Sequence, residues 1–343
     1  MDTILHNFTS GASDGSTPYG SLTLSGAKFY GMTEAGGGNN TGALFSMNTD
    51  GSGFGLLHSF TGGASDGRYP EGSLTLSGAK LYGMTVYGGS SDTGAIFSMN
   101  TDGTGYGLLH TFTGGASDGR TPHGSLTFSG SKLYGMTETG GSGLGGSGTI
   151  FSMNTDGTGF GLLHSFAGGA SDGRFPTGSL TLSGAKLYGM TQEGGIGIGG
   201  SGTLFSMNTD GTGFGLLHAF TGGASDGRFP RGSLTLSGSK LYGMAASGGR
   251  SDTGAIFSMN TDGTDYRLLQ IFAAPPPIDG ASPKSGDLTL SDDGSTLFGM
   301  TSAGGTANVG VVFSLSTTPT PEPASTALLG LGALLLAARR RGV

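Results

Sequence analysis

The chain repeats one pattern of short apolar runs separated by polar and glycine-rich clusters. In the clearest copy, residues 73–112, the runs are SLTLS (73–77), KLYGMT (80–85), GAIFSMN (94–100) and YGLLHTF (106–112). Runs of this length, rich in Leu, Ile, Phe, Tyr and Thr and bounded by Gly, Asn, Asp or Ser, are typical of β-strands. They are too short and too closely bounded by glycine for helices. The pattern predicts four antiparallel strands, A to D, with A–B and C–D joined by hairpin turns.

This four-strand unit occurs in six copies. An aromatic residue in a YGM or FGM motif marks each one: Tyr30, Tyr82, Tyr134, Tyr188, Tyr242 and Phe298. Four antiparallel strands in a unit of roughly 40–50 residues indicate a propeller blade. A β-solenoid is the alternative, although its coils usually have shorter periods. We therefore expect an all-β fold, a six-bladed β-propeller of four-stranded antiparallel blades, over residues 1–315.

The two ends of the repeat region are staggered. A D-type strand, Ile4–Phe8, precedes any strand A, and the last copy stops after strand C at Val311–Leu315. Pairing these two segments would complete the last blade and leave no free sheet edge. The sequence thus predicts a ring closed by the N-terminal strand.

Composition narrows the classes of function. Glycine provides 74 of the 343 residues, which would indicate disorder without a period but here marks turns. Only 11% of residues are charged, the net charge is −7, and no basic patch favours nucleic acid. The absence of cysteine excludes disulfides, thiolate metal sites and a cysteine nucleophile. We expect a monomer without a cofactor.

Two repeated polar motifs have structural interpretations. The histidine of LLHxF lies on strand D, which is roughly 14 Å further from the axis than strand A at about 4.8 Å per strand. Histidines on separate outer strands cannot meet at one metal ion, so we expect them to pack and we expect no metal site. The ASDGR loops contain an Asp-Gly turn signal, and their Asp and Arg are expected to pair between blades.

One position differs in nearly every copy, the residue between Pro and Gly just before strand A. It is Tyr19, Glu71, His123, Thr177 or Arg231, with Lys284–Ser285 in the altered last copy. The B–C loops also differ, and both kinds of loop emerge on the same face of the ring. Repeat proteins usually place binding loops on one such face, whereas neutral drift in exposed loops is the alternative. The candidate ligand-binding residues are Tyr19, Glu34, Glu71, His123, Glu138, Glu193 and Arg231.

No catalytic motif stands out. The sequence contains no recognisable Ser-His-Asp set, phosphate-binding loop or metal motif. Glycosidases need two carboxylates at a defined separation, and Glu34, Glu138 and Glu193 belong to B–C loops of different blades. We expect a protein that is not an enzyme, with a binding or structural role. A secreted carbohydrate-active enzyme, a glycan hydrolase or lyase on a propeller scaffold, is the alternative.

The C-terminal tail has a different composition. A Thr/Pro linker at 316–323 ends in Pro321, Glu322 and Pro323, and residues 324–343 contain an apolar run followed by Arg339, Arg340 and Arg341. The apolar run, 324–338, is shorter than the roughly 20 residues of a usual membrane span. The arginines would stay on the cytoplasmic side. This pattern predicts a short hydrophobic helix that inserts transiently as a sorting anchor; an ordinary C-terminal membrane anchor is the alternative.

The tail resembles the PEP-CTERM sorting signal of bacterial surface proteins, on its Pro-Glu-Pro motif, short apolar run and terminal arginines. The resemblance implies recognition by exosortase, a membrane transpeptidase. Residues 4–315 are similar to the GloVer, or choice-of-anchor, tandem-repeat family, which supplies no catalytic residues. This context suggests a secreted or cell-surface protein, anchored in the membrane before processing, with extracellular polysaccharide as a partner. Such proteins should carry an export signal, yet MDTILHNFTS shows no N-terminal signal peptide. We therefore expect either that the start is assigned too far downstream or that the sequence is a fragment.

Overall fold

Six antiparallel sheets form the blades of a β-propeller. The structure is a computed structural model that describes residues 4–143, 145–196, 200–272, 280–283, 287–305 and 310–317. These residues contain strands and no helix. The predicted all-β, six-bladed fold is confirmed.

Each blade takes its strands from one copy of the repeat, in the order A, B, C, D. Blade 1 contains Thr23–Ser25, Lys28–Gly36, Ala43–Asn48 and Gly55–Ser59, with Gly15–Pro18 paired to the end of strand B. Blade 2 contains Thr75–Ser77, Lys80–Thr85, Ala95–Asn100 and Gly107–Thr111. Blade 3 contains Thr127–Ser129, Lys132–Thr137, Thr149–Asn154 and Gly161–Ser165. Blade 4 contains Thr181–Ser183, Lys186–Thr191, Thr203–Asn208 and Gly215–Ala219. Blade 5 contains Gly227–Ser237, Lys240–Gly248, Ala255–Asn260 and Arg267–Ile271. Blade 6 contains Thr289–Leu290, Thr296–Thr301 and Val311–Ser316.

Short strand pairs tie the two variable loops of a blade together. In blades 2, 3 and 4 the D–A loop pairs with the B–C loop over two residues. The paired segments are Gly67–Arg68 with Tyr87–Gly88, Gly119–Arg120 with Thr139–Gly140, and Gly173–Arg174 with Glu193–Gly194. Because these loops are hydrogen-bonded to each other, the face of the ring that carries sequence variation is also a fixed surface.

The hydrophobic core lies between blades. Between blades 2 and 3, one cluster joins Tyr82, Met84 and Ile96 to Leu133 and Phe151, all of them buried. Both faces of strands B and C are therefore covered, which explains why these strands are apolar without alternation. The methionine of the YGM motif fills this core, as expected from its adaptable side chain. Four equivalent clusters join the neighbouring blades from 1 to 6.

The N-terminal segment packs on blade 1 but does not pair with blade 6. The His6 ring stacks on Phe54 of blade 1 at 3.6 Å, as the His58 ring of blade 1 stacks on Tyr106 of blade 2 at 3.7 Å. The segment thus takes the place of a D strand toward blade 1. Among the described residues, however, no strand pairing joins it to Val311–Ser316, so the last sheet has three strands. The prediction that Ile4–Phe8 pairs with Val311–Leu315 as the fourth strand of the last blade is therefore wrong.

Side-chain exposure marks the same boundary. Leu22 of blade 1 is 47% exposed, whereas its counterpart Leu74 in blade 2 is 5% exposed. On blade 6, Met300 and Val312 are 59% and 77% exposed, although their counterparts are buried in the other blades. Blade 6 therefore contacts blade 5 through a full core but leaves its other face open to solvent.

A belt of histidine–aspartate pairs surrounds the ring. Each pair joins the histidine of strand D to the aspartate of the following D–A loop; we call these five pairs the His–Asp belt. They are His6–Asp14, His58–Asp66, His110–Asp118, His164–Asp172 and His218–Asp226. The histidines pack, as predicted, but the expected Asp–Arg pairing between blades is wrong, because the aspartate pairs with the histidine of the preceding strand D.

Asp66 illustrates how much each belt carboxylate holds together. It accepts hydrogen bonds from His58 Nε2 at 3.1 Å, the Thr61 amide at 2.8 Å, the Gly67 amide at 2.7 Å and the Tyr106 hydroxyl of blade 2 at 2.5 Å. Burial disfavours the charged carboxylate, but the hydrogen bonds outweigh it and lower the pKa of Asp66 to about 2. The ionised Asp66 therefore links strand D, its own loop and the next blade.

The predicted sorting tail lies outside the described residues. This applies to Pro321, Glu322 and Pro323, to the expected hydrophobic helix at 324–338, and to Arg339, Arg340 and Arg341. In the part of the chain that is described, no helix has the length and apolar character needed to cross a membrane.

Candidate functional site

The loops that precede the six A strands meet around a cavity of ≈ 460 Å³, which we call the central cavity. All six blades contribute to its wall. The variable residues on it are Tyr19, Glu71, His123, Thr177 and Arg231, one from each of the first five blades. The sixth position, Lys284–Ser285, lies outside the described residues.

The backbone of these loops is held rigidly. A Cβ atom on Gly72 would lie 2.4 Å from the carbonyl oxygen of Gly124, so only glycine allows the two loops to approach this closely. The Ser73 amide donates a hydrogen bond to the Ser125 hydroxyl of the next blade at 2.8 Å. The same bond joins each neighbouring pair from blade 1 to blade 5, and Asp287 accepts it in blade 6. The residue before the glycine is therefore the one that can vary without disturbing the ring.

Three of the cavity residues form a charged cluster. The Nδ1 atom of His123 lies 2.6 Å from Glu71 Oε2, and its Nε2 atom lies 3.0 Å from Glu138 Oε2. Burial disfavours protonation, but the hydrogen bonds to Glu138 and Glu71 outweigh it and raise the pKa of His123 to about 9. At neutral pH the ring is thus an imidazolium that donates to a carboxylate on each side. This Glu71–His123–Glu138 cluster spans blades 2 and 3.

Arg231 provides the second positive charge of the central cavity. The pKa of Glu138 is lowered mainly by its hydrogen bond to His123, and the nearby positive charges of Arg231 and Arg120 lower it further. Within the described residues, the buried Nε atom of Arg231 has no hydrogen-bond partner. A buried donor without a partner is costly, so Arg231 brings an unsatisfied donor to the wall of the cavity.

The cluster is arranged for hydrogen bonding rather than for metal binding. Both ring nitrogens of His123 are engaged by carboxylates, which leaves no nitrogen lone pair for a metal ion. In the described part of the chain, no group of three or more His, Asp or Glu side chains is placed to hold a metal. Carboxylate acceptors, a guanidinium donor, serine hydroxyls and a half-exposed tyrosine at the wall suit a ligand rich in hydroxyl groups.

The structure brings together five of the seven predicted binding residues. Tyr19, Glu71, His123, Glu138 and Arg231 line the central cavity, whereas Glu34 and Glu193 do not. Glu193 instead forms an ion pair with Arg174 at 2.5 Å. The residue before it, Gln192, lines the cavity in its place.

The alternation of side chains along extended backbone explains why Gln192, and not Glu193, lines the cavity. Glu138 directly follows the threonine that ends strand B of blade 3, and the residue in that position of blade 4 is Gln192. Glu193 is one residue later, and successive side chains in extended backbone point to opposite faces. Counting from the YGM motif in each copy would have identified Gln192. The cavity residue Asp287 was also missed, although it replaces the serine found at that position in the other five copies.

The fold and this cavity define a class: a β-propeller whose blades present one divergent residue each to a polar cavity on the axis. The sequence profile described as the Gloeobacter/Verrucomicrobia repeat matches residues 1–200 and 143–325. The chain therefore belongs to that repeat family. A second profile, the PEP-CTERM protein-sorting motif, matches residues 319–341. This motif implies recognition by exosortase and an exported cell-surface protein that is membrane-anchored before processing.

Solved structures with the same architecture are distant in sequence. An oligogalacturonate lyase in complex with manganese is 11% identical, with a TM-score of 0.52 over 84% of this chain and 70% of that chain. TolB from Acinetobacter baumannii is 16% identical, with a TM-score of 0.47 over 81% of this chain. This chain spans 58% of the length of that TolB chain. At these identities the likeness concerns the fold alone. No curated protein matches the sequence.

Proposed function

We propose that this chain is an exported surface protein whose propeller binds a hydroxyl-rich ligand, a segment of extracellular polysaccharide, in the central cavity without chemically changing it. The convergence of the divergent loop residues on one cavity is the observation that carries the proposal. The strands of the repeat copies are nearly identical, so the side chains that differ between blades would shape an asymmetric site on a symmetric scaffold. The ring would act as a monomer, because one chain supplies the whole wall.

The chemistry of the cluster supports binding over catalysis. A glycoside hydrolase needs a carboxylic acid that stays protonated near neutral pH, which requires a raised pKa. The pKa of Glu138 is lowered instead, by its hydrogen bond to His123 and by positive neighbours. Glu138 is thus ionised at neutral pH and is suited to accepting hydrogen bonds from sugar hydroxyls. Exosortase would act only on the C-terminal tail and would leave the cavity intact.

A glycan array probed with the full chain, followed by analysis of the bound glycans for cleavage, tests this proposal. We expect binding without turnover, weakened at least about tenfold in Glu71→Gln and His123→Gln, because each breaks the charge-assisted hydrogen bonds that position the carboxylates of the cluster. Glu193→Gln is the matched control, since Glu193 lies outside the cavity. Absence of any binding by the wild-type chain, or equal loss in the control, would contradict the proposal.

The second candidate is a carbohydrate-active enzyme. Its supporting observation is that two carboxylates, Glu71 and Glu138, flank a protonated histidine in one cavity. Cleaved or unsaturated products that disappear in Glu138→Gln, but not in Glu193→Gln, would establish this alternative and exclude simple binding.

A further inference from the structure

A second pocket lies on the outer part of blade 5, away from the axis. It has a volume of ≈ 490 Å³ and is bounded by the D–A loop that leads into blade 5 and by the B–C loop of that blade. Its charged residues are Arg228, Arg250 and Asp252. None of them lines the central cavity. We call it the blade 5 outer pocket.

The other blades show what the arginine of this loop normally does. Arg68 of blade 2 pairs with Asp92 at 2.6 Å, and Arg174 of blade 4 pairs with Glu193 at 2.5 Å. Arg120 of blade 3 donates from Nε to the Thr139 hydroxyl at 2.9 Å. In each of these blades the B–C loop supplies an acceptor for the guanidinium group. Blades 2 to 4 therefore have no arginine of this loop left unsatisfied.

Blade 5 breaks this pattern. The residue opposite Arg228 is Ser247, where blade 4 has Glu193. The carboxylate of Asp252 accepts a hydrogen bond from the Gly248 amide at 2.7 Å and forms no ion pair within the described residues. The guanidinium group of Arg228 lies over the Phe229 ring at 4.2 Å, and its buried Nε atom has no hydrogen-bond partner there.

The position of Arg228 is fixed although its charge is not satisfied. A Cβ on Gly222 would lie 3.4 Å from the Arg228 Cδ atom, and the matching distance from Gly62 to Arg68 is 3.2 Å. The aliphatic part of the side chain therefore follows the same path as in blade 2. What differs is that Asp252, the counterpart of the Asp92 that pairs with Arg68, forms no ion pair with Arg228 in the described residues. Blade 5 also has an added cation, since Arg250 stands where blade 2 has Ser90.

We propose that the blade 5 outer pocket is an anion site that takes a carboxylate or sulfate group carried by an acidic saccharide. Two arginines line one pocket, and the Nε atom of Arg228 is a buried donor without a partner among the described residues. Planar guanidinium groups bind oxyanions through paired, charge-assisted hydrogen bonds. A pocket of this size lies within the range of small-molecule sites and exceeds what one inorganic ion needs. The proposal does not depend on the central cavity.

Titration of the full chain with sodium sulfate and, separately, with glucuronate tests the site. The readout is the ¹⁵N–¹H signal of each arginine Nε group at constant ionic strength. We expect a saturable shift of the Arg228 signal and no comparable shift for Arg68, whose guanidinium is already paired. Response to both anions indicates a general oxyanion site, and response to one of them identifies the group that the saccharide carries.

Variants sharpen the test. Arg228→Lys keeps the charge but loses the Nε donor, so we expect the affinity, followed in this variant through the Arg250 Nε signal, to fall about tenfold. Arg250→Ser installs the blade 2 residue and should weaken binding about threefold, because Arg250 is exposed. Asp252→Asn removes the one nearby negative charge and should strengthen binding. Arg68→Lys is the matched control and should leave the Arg228 response unchanged.

Three results would overturn the proposal. The first is a linear, non-saturable shift of Arg228 with both anions. The second is an equal shift of Arg68 and Arg228, which would indicate a general salt effect. The third is unchanged affinity in both Arg228→Lys and Arg250→Ser while thermal unfolding shows that these variants are folded.

Discussion

The His–Asp belt and the central cavity use similar residue types in opposite ways. In the belt, a histidine and a carboxylate meet in every pair with nearly the same geometry, 3.0–3.2 Å between nitrogen and oxygen. In the cavity, a single histidine meets carboxylates, and each of the first five blades contributes a different variable side chain. The belt repeats because each pair joins neighbouring repeat units. The cavity varies because its loop backbone is held by glycine contacts and serine hydrogen bonds that do not involve the variable side chain.

The largest effect should come from a belt carboxylate. Asp66→Ala would leave the Thr61 amide, the Gly67 amide and the Tyr106 hydroxyl without their acceptor. Removing one partner and leaving buried donors unsatisfied costs about 1–3 kcal/mol per group, with strong overlap between groups. We expect a loss of about 3 kcal/mol in the free energy of unfolding, measured by urea denaturation followed by circular dichroism.

Asp102→Ala is the control for this prediction. Asp102 is exposed and accepts hydrogen bonds within its own hairpin turn, from the Thr104 amide and hydroxyl. Its removal should have a much smaller effect on unfolding and none on glycan binding. Equal destabilisation by Asp66→Ala and Asp102→Ala would show that the belt does not link the blades.

The Glu71–His123–Glu138 cluster should make the unfolding free energy depend on pH. The pKa of His123 in the folded chain is about 9, above its ordinary value of 6.5. A raised folded pKa gives stability that is fully present below pH 6.5 and is lost as the pH rises through about 9. After allowance for partial exposure we expect about 2 kcal/mol. The measurement is the difference in unfolding free energy between wild type and His123→Gln at pH 6 and at pH 10.

Other groups also titrate near pH 10, so the comparison is between the two chains and not between the two pH values alone. The stabilisation of wild type relative to His123→Gln should shrink as the pH rises. Glu71→Gln removes one of the carboxylates that raise the pKa of His123, so it should move the transition to lower pH. If the difference in unfolding free energy between wild type and His123→Gln stays constant from pH 6 to pH 10, His123 is not stabilised as an imidazolium in the folded chain.

The sequence predicted the strands and blades of the scaffold better than it predicted the contacts between side chains. The period, the strand count and the apolar strands predicted the six blades, because each copy restates the same local signals. The aspartate of the ASDGR loop was expected to pair with an arginine of another blade, but the partner of Asp66 is His58, eight residues earlier on strand D. That pairing depends on how strand D packs against the next blade. Local spacing does not contain this information.

The same limit applies to the edges of the ring. Staggered ends predicted strand pairing between Ile4–Phe8 and Val311–Leu315, and the structure places the N-terminal segment on blade 1 through His6 and Phe8 without that pairing. The packing of the N-terminal side chains on blade 1 could be predicted from the repeat, because the same aromatic residues recur in the other copies. Backbone pairing depends on the position of blade 6 as a whole, which no local pattern specifies.

The smallest effect should come from variation inside the belt itself. Tyr106 in blade 2 donates a hydrogen bond to Asp66 of the preceding pair, whereas the corresponding residue of blade 3 is Phe160, which stacks on His110 but has no hydroxyl. Tyr106→Phe should therefore cost about 1 kcal/mol of unfolding free energy, the usual net value of one hydrogen bond. The reciprocal Phe160→Tyr should recover a similar amount, measured by urea denaturation.

Neither exchange should alter glycan binding, because both residues lie at the belt and outside the central cavity. A stability change with unchanged binding would show that differences between copies in the belt adjust only the scaffold. Weaker binding in Tyr106→Phe would instead mean that the belt sets the position of the cavity loops, since Asp66 lies four residues before Pro70 and the variable Glu71 follows it. In that case a substitution in the belt would affect the cavity through the D–A loop, because the belt aspartate and the variable cavity residue both lie in that loop.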